Sequence, residues 1–314
     1  MIKKLLYIFF KIIESYLFIV FVAIALGIFY PSQLAIFSPF TTLMLQIIFF
    51  LSSLKLETAE LFRTGKEWRM LLKVNMVILI VLPIIVYLIA SIVTPTMVFA
   101  LVLLSTMPAG MSLPLMVDVI GGNKSLALLI TISSSLLAPI TVPIMLTVLT
   151  STSVQLPFLP MVWRLFLVII VPFVLAQIVQ RVSHVKIHKL SFSFKSISLV
   201  LLGLLIASSI AVNAGAINVA LNDLSSSLII LFLFFIGVHL FTHFVFFRKS
   251  YKEQVTIASS VTFMNFTLAI YLASLYVPDP RVLLILVISI IPWALLLIPF
   301  KYVTDFMKSR DWIS

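Results

Sequence analysis

Apolar residues run along this chain in long blocks broken by short polar stretches, and the blocks are of membrane length. A helix needs about 20 mostly apolar residues to cross a bilayer. That rule predicts spans at Leu5–Phe29, Leu34–Leu54, Leu71–Val93, Met97–Ile120 and Leu126–Leu149. A second set is predicted at Pro160–Val179, Ser196–Val212, Leu228–Phe247, Gln254–Tyr276 and Val282–Val303. The pattern is that of an all-α polytopic membrane protein with about ten spans.

The loops between the blocks carry a charge rhythm. Lys3 and Lys4, then Lys55, Arg63, Lys66 and Arg69, then Lys124, fall on one side. Arg181, Lys186, Lys189 and Lys195 join them, with Arg248, Lys249, Lys252, Lys308 and Arg310. The intervening loops carry Arg281 and little else that is basic. Such alternation follows the positive-inside rule and predicts cytoplasmic termini. The expected location is a cytoplasmic membrane of bacterial type, with the basic loops facing lipid head groups.

Composition narrows the classes. The 314 residues are 62% hydrophobic and 10% charged, with a formal net charge of +11. The basic residues form no aromatic-interleaved patch, so no nucleic-acid partner is expected. There is no cysteine, which removes disulfides and thiolate chemistry.

Two spans hold unusual polarity. Met107–Pro143 reads MPAGMSLPLMVDVIGGNKSLALLITISSSLLAPITVP. Pro108, Gly110 and Pro114 predict a helix break, because proline lacks an N–H and clashes with the preceding turn. Hydroxyls follow at Thr131, Ser133, Ser134 and Ser135, with Pro139 and Pro143 beyond. The ninth block reads TIASSVTFMNFTLA, polar but with neither Gly nor Pro. The polar-rich spans Met97–Ile120 and Gln254–Tyr276 each occupy fourth place in a half of five spans, residues 1–150 and 151–314. Paired interrupted spans are the sequence pointer to an inverted-repeat transporter with a midplane site.

Three stretches, AIFSPFTTLMLQIIFFLSSLKL, LLSTMPAGMSLP and GGNKSLALLITISSSLLAPITVP, resemble the bile acid–sodium symporter family, and TIASSVTFMNFTLA resembles its ninth span. The resemblance implies a five-plus-five inverted repeat with panel and core domains, discontinuous fourth and ninth helices, and sodium-coupled uptake of organic anions. Carried over residue by residue, the family's sodium ligands fall on Leu113, Pro114, Ala127, Thr131, Ser260, Met264 and Asn265, with Ile78 in the third span. Of these, Thr131 and Asn265 keep the family's residue types. A sodium cage wants hard oxygens, usually with a carboxylate, so the resemblance implies the fold without the usual sodium site.

The expected solute is a small, amphipathic organic anion, moved by alternating access within the lipid bilayer. Candidate substrate contacts are Met111, Ser112, Asn265, Thr267 and Ser289. Candidate ion-coupling residues are Thr131, Ser260, Asn265, Glu14 and Asp118, with a proton as the alternative to sodium. Glu14 lies near Lys11 and Asp118 near Lys124, so a simple ion pair competes with a coupling role at each. His239 and His243, one turn apart, offer a metal pair or a proton relay; with no third ligand nearby, helix packing is the favoured reading. No other cofactor and no metal centre are expected, and oligomeric state is not encoded in any motif. The alternatives are a proton-coupled or uncoupled carrier, a channel, or a membrane-embedded enzyme. Against the enzyme, the chain has no HExxH and no Gly-x-Ser-x-Gly elbow.

Overall fold

A computed structural model describes residues 16–54, 68–150, 156–215 and 224–309, which are helix, turn or connecting coil apart from one isolated β-bridge. Glu14, the first part of the opening span and the basic residues Lys55, Arg63 and Lys66 lie outside the described residues. Among the described residues six helices are long and apolar enough to cross a membrane, and four shorter apolar helices accompany them. The chain is an all-α polytopic membrane protein.

The helices are α1 (Tyr16–Phe29), α2 (Thr41–Ser53, entered through a tight 3-10 turn at Ala35–Phe40) and α3 (Trp68–Val93). Then come α4 (Val98–Ser105), α5 (Leu113–Ile120), α6 (Lys124–Thr150), α7 (Phe158–Val182) and α8 (Phe194–Val212). The chain ends with α9 (Leu224–Val245), α10 (Tyr251–Thr262), α11 (Phe266–Tyr276), α12 (Pro280–Ile288) and α13 (Ile290–Ser309). The predicted fourth span is therefore α4 and α5, and the predicted ninth is α10 and α11. Both are interrupted.

The described residues fall into two compact units that interleave along the sequence. One takes in Met1–Leu56, Leu167–Asn222 and Ile270–Val287; the other takes in Glu57–Phe166, Asp223–Ala269 and Ile288–Ser314.

In the first unit the backbone is helical from Val171 through Val212. Even so, Phe194 packs on the cluster of Leu51, Leu54 and Ala176. A straight helix would hold residues 176 and 194 about 27 Å apart at about 1.5 Å per residue. The chain therefore reverses between them, and α7 and α8 run as separate spans. Gln177 and Gln180 seal the end of α2 by donating to the carbonyls of Ser53 and Leu54, each at 3.3 Å. Within α7 a π turn at Phe166–Ile170 precedes Pro172, which has no N–H to give. Gln46 Nε2 donates to the carbonyl of Leu167 in that turn at 3.2 Å. The buried Tyr271 hydroxyl finds Thr42 Oγ1 at 3.0 Å.

The second unit shows how such helices meet lipid. Along α3, Ile84, Leu88 and Ile92 are exposed at four-residue spacing, while Leu82, Val86 and Ala90 are buried on the opposite stripe. In water this exposed stripe would be a liability; in a bilayer it is the solvated face.

Close packing in the first unit rests on Gly27 of α1. A Cβ there would stand 2.7 Å from the carbonyl oxygen of Ala207 and 2.9 Å from the Ile210 Cβ on α8. Backbone cannot yield as a flexible side chain does, so Gly27→Ala should force α1 and α8 apart at a cost of about 1–3 kcal/mol. The expected outcome is a drop of several degrees in the thermal-unfolding midpoint of the purified protein in detergent. An unchanged midpoint would show that the two helices are not held at this distance.

Candidate functional site

The site is the place where the two interrupted spans meet, within the second unit. α4 ends with Ser105 and Thr106, whose hydroxyls donate back to the carbonyls of Val102 and Leu103 at 2.9 and 2.8 Å. The chain then runs extended through Pro108, Ala109 and Gly110. Pro114 does not break the helix. It stands second in α5, where a missing N–H would have no helical partner in any case. Across from this segment α10 stops at Thr262, and α11 begins at Phe266.

The two breaks pair with each other. Ala109 and Met264 form an isolated antiparallel bridge. Its two bonds run from Gly110 N–H to the Phe263 carbonyl at 2.6 Å and from Asn265 N–H to the Pro108 carbonyl at 2.9 Å. Gly110 is required for space: a Cβ would meet the Phe263 oxygen at 2.8 Å and the Met264 oxygen at 3.1 Å. Asn265 does a second task. Its Oδ1 accepts the N–H of Leu268 at 3.1 Å, so it caps the first turn of α11. A ninth span with no Gly or Pro is thus broken by an asparagine cap and a partner strand.

The hydroxyl run on α6 backs this crossing. Ser134 Oγ accepts the Ala109 N–H at 3.1 Å and donates to the Thr131 carbonyl at 3.3 Å. Thr131 is buried and donates to the Ala127 carbonyl at 2.8 Å. Ser260 is buried on α10 and donates to the Ile257 carbonyl at 2.6 Å. On α3, Asn75 Nδ2 donates to Ser133 Oγ at 2.8 Å and to the Leu71 carbonyl at 2.9 Å. Five buried oxygens on these helices have no hydrogen-bond partner: Asn75 Oδ1, Ser135 Oγ, Thr147 Oγ1, Ser259 Oγ and the Tyr251 hydroxyl. Buried polar atoms without partners are uncommon and mark places where a ligand or water would sit. Ser259 belongs to the polar run TIASSVTFMNFTLA, whereas Asn75 is a residue that sequence reasoning missed, its one signal being polarity within an apolar span.

The other predicted residues scatter. Met111 and Ser112 lie half-buried in the fourth-span break. Thr267 is buried in the first turn of α11, and Ser289 is fully buried at the turn between α12 and α13. That turn sets up Trp293, which stacks edge-on to Phe263 and Phe266, each at 5.6 Å, on the two sides of the ninth-span break. Asp118 lies towards the far end of α5, in a 3.5 Å ion pair with Lys124 whose side chains are 61% and 59% exposed. Such a pair contributes little to stability. Glu14 lies outside the described residues.

The α5–α6 turn is also tied to the ninth span. Gly121 adopts φ +80°, a left-handed end to α5 that favours glycine. Next to it, the Asn123 N–H donates to Thr256 Oγ1 on α10 at 2.7 Å. Among the described residues no group of three His, Cys, Asp or Glu is placed to hold a metal ion.

Two variants test the crossing. Gly110→Ala should push the bridge apart and lower stability by about 1–3 kcal/mol. Ser134→Ala should strand the Ala109 N–H and cost about 1–3 kcal/mol. Thermal unfolding in detergent reads both. Ser133→Ala is the contrast, because Ser133 bonds Asn75 and takes no part in the bridge.

The profile of the SBF-like CPA transporter family matches residues 14–303. The chain is 26% identical over 231 residues to sodium/bile acid cotransporter 7 of Danio rerio, covering 71% of this chain and 68% of that protein. It is 25% identical over 227 residues to sodium/bile acid cotransporter 7-A of Xenopus laevis, covering 70% and 66%. The match thus spans about two thirds of the length of these relatives. With nearly its whole length under that profile and two interrupted spans paired across its second unit, this chain belongs to the SBF-like CPA transporter family.

Proposed function

We propose that this protein is a secondary transporter of a small, amphipathic organic anion, working by alternating access and without sodium coupling through the family's usual ligand set. The observation that carries the reading is the bridged crossing of two interrupted spans. At such a crossing the N-termini of α5 and α11 present partial positive charge to an anionic group. Apolar walls from Met111, Phe263, Phe266 and Trp293 suit the rest of an amphipathic solute. Ser112, Thr267 and Ser289 are the hydroxyls we assign to orient it.

Interleaving supports the architecture we propose, in which residues 1–150 and 151–314 are inverted repeats. The first unit draws on the first, second, sixth and seventh spans, the leading pair of each half, together with Ile270–Val287 of the ninth and tenth. In this reading the termini are cytoplasmic and the basic loops face the same side.

The oxygens at the crossing support the absence of the usual sodium cage. Thr131 and Ser260 hydroxyls are turned to their own helices, and Asn265 Oδ1 is committed as a cap. None of these positions carries a carboxylate. A ligand that binds only the folded state stabilises it by about 2.7 kcal/mol at a concentration 100 times its Kd. The purified protein should therefore unfold at the same temperature in sodium chloride and potassium chloride of equal ionic strength. A saturable rise specific to sodium would overturn the proposal on coupling. Proteoliposomes test the transport itself. Labelled taurocholate is the first probe, because the relatives are named for bile acids, followed by simpler amphipathic carboxylates. Saturable uptake with counterflow is the expected result; a linear, non-saturating flux would mean a channel.

A further inference from the structure

His239 of α9 is buried, at 7% exposure, and meets the end of α10 beside the ninth-span break. Its Nδ1 lies 3.0 Å from Thr262 Oγ1, and Thr262 is the last residue of α10. The Thr262 hydroxyl already donates to the Ala258 carbonyl at 3.2 Å. With the hydroxyl donating to Ala258, the threonine oxygen accepts at the imidazole contact, Nδ1 carries the hydrogen and Nε2 of the neutral ring holds the lone pair. The imidazole lies flat on Phe300 of α13, with ring centroids 3.9 Å apart and planes within 10°.

One residue beyond Thr262 the break begins. Phe263 gives its carbonyl to Gly110, and its ring meets Trp293. A change in the His239 contact is thus transmitted to the bridge through adjacent backbone. A residue serving packing alone has no need of this arrangement. One ring nitrogen is committed to the end of a broken helix, and the ring face is set against an aromatic that favours a cation.

We propose that His239 is a proton-binding site linked to the ninth-span break. A proton from water adds to Nε2, no other bond changes, and the resulting imidazolium is held between Thr262 Oγ1 and the Phe300 ring. The new charge draws Thr262 more strongly and shifts the end of α10 against Gly110. As a coupling site for transport this rests on the transporter reading; as a proton site at the break it stands without it.

The ionisable groups of the surrounding elements are few. His243 lies one turn further along α9 and is half-buried. Tyr251, Lys252 and Glu253 open α10, about 13 Å or more from Thr262 along the helix at about 1.5 Å per residue. On α13, Lys301 and Asp305 follow Phe300 in sequence.

Trp293 supplies the readout and needs no substrate. In full-length protein in detergent, Trp68, Trp163 and Trp312 are replaced by Phe, so that emission reports from beside the break. Emission followed from about pH 9 down to the lowest pH at which the protein stays folded should show one titration, kept in H243N and in H184N/H188N. H239N places an amide nitrogen near the Nδ1 position but cannot titrate in this range. It should keep the high-pH emission and lose the titration. H239F keeps the stack and lacks the Thr262 bond, so its emission should differ at every pH. A titration that persists in H239N, or its absence from the parent protein, overturns the proposal. Should the three-tryptophan background fail to fold, the pH dependence of the unfolding midpoint is compared between wild type and H239N, and identical profiles overturn it equally. Because no step measures flux, failure here leaves the transporter reading to its own test.

Discussion

A lipid interior offers no hydrogen bond to a backbone group, so a helix can stop inside it only where something else completes the ladder. The rest of the second unit follows from that constraint. Pro108 cannot continue α4, and the freed backbone is met by the matching gap in the ninth span. Gly110 gives its N–H to Phe263, and Asn265 gives its own to Pro108. Each break is tolerable because the other exists. The neighbouring helices supply the remainder: Ser134 takes the Ala109 N–H, and Asn265 Oδ1 closes the first turn of α11.

Two kinds of residue make this geometry accessible. Glycines admit close backbone approach, as Gly110 does at the crossing and Gly27 does between α1 and α8. Hydroxyls and amides then distribute into two groups. Most turn to a carbonyl three or four residues back, the usual behaviour of Ser and Thr in apolar helices. A few stay open in the interior: Asn75 Oδ1, Ser135 Oγ, Thr147 Oγ1, Ser259 Oγ and the Tyr251 hydroxyl on α3, α6 and α10, and Ser53 Oγ on α2.

Membership of a transporter family fixes the class of the protein but not its chemistry. The oxygens that the family resemblance singled out are here engaged in holding helices and caps. Side chains that the resemblance did not mention, Asn75, His239 and Trp293, make the long-range contacts around the breaks. The same fold thus carries a different distribution of polar groups at its centre.

The spans were legible in the sequence because bilayer thickness imposes a local length on each apolar block. The predicted blocks from Leu34 to Leu54 and from Leu126 to Leu149 become helices of nearly those bounds. Pro108 was legible for a similar reason: a missing N–H acts on its own turn. Pro139 and Pro143 sit inside a continuous α6, since neighbouring packing decides whether a proline kinks or breaks. The ninth-span break, the N-terminal role of Pro114 and the reversal between residues 176 and 194 emerged only in the tertiary structure. So did the contact of His239 with Thr262. Each depends on which side chain or backbone group a distant helix presents. Sequence alone therefore determined where this chain crosses the membrane and where its fourth span must fail. Only the folded structure decided what the failed ladder bonds to, because its backbone partners at Phe263 and Asn265 lie more than a hundred residues away and Ser134 stands on a separate helix.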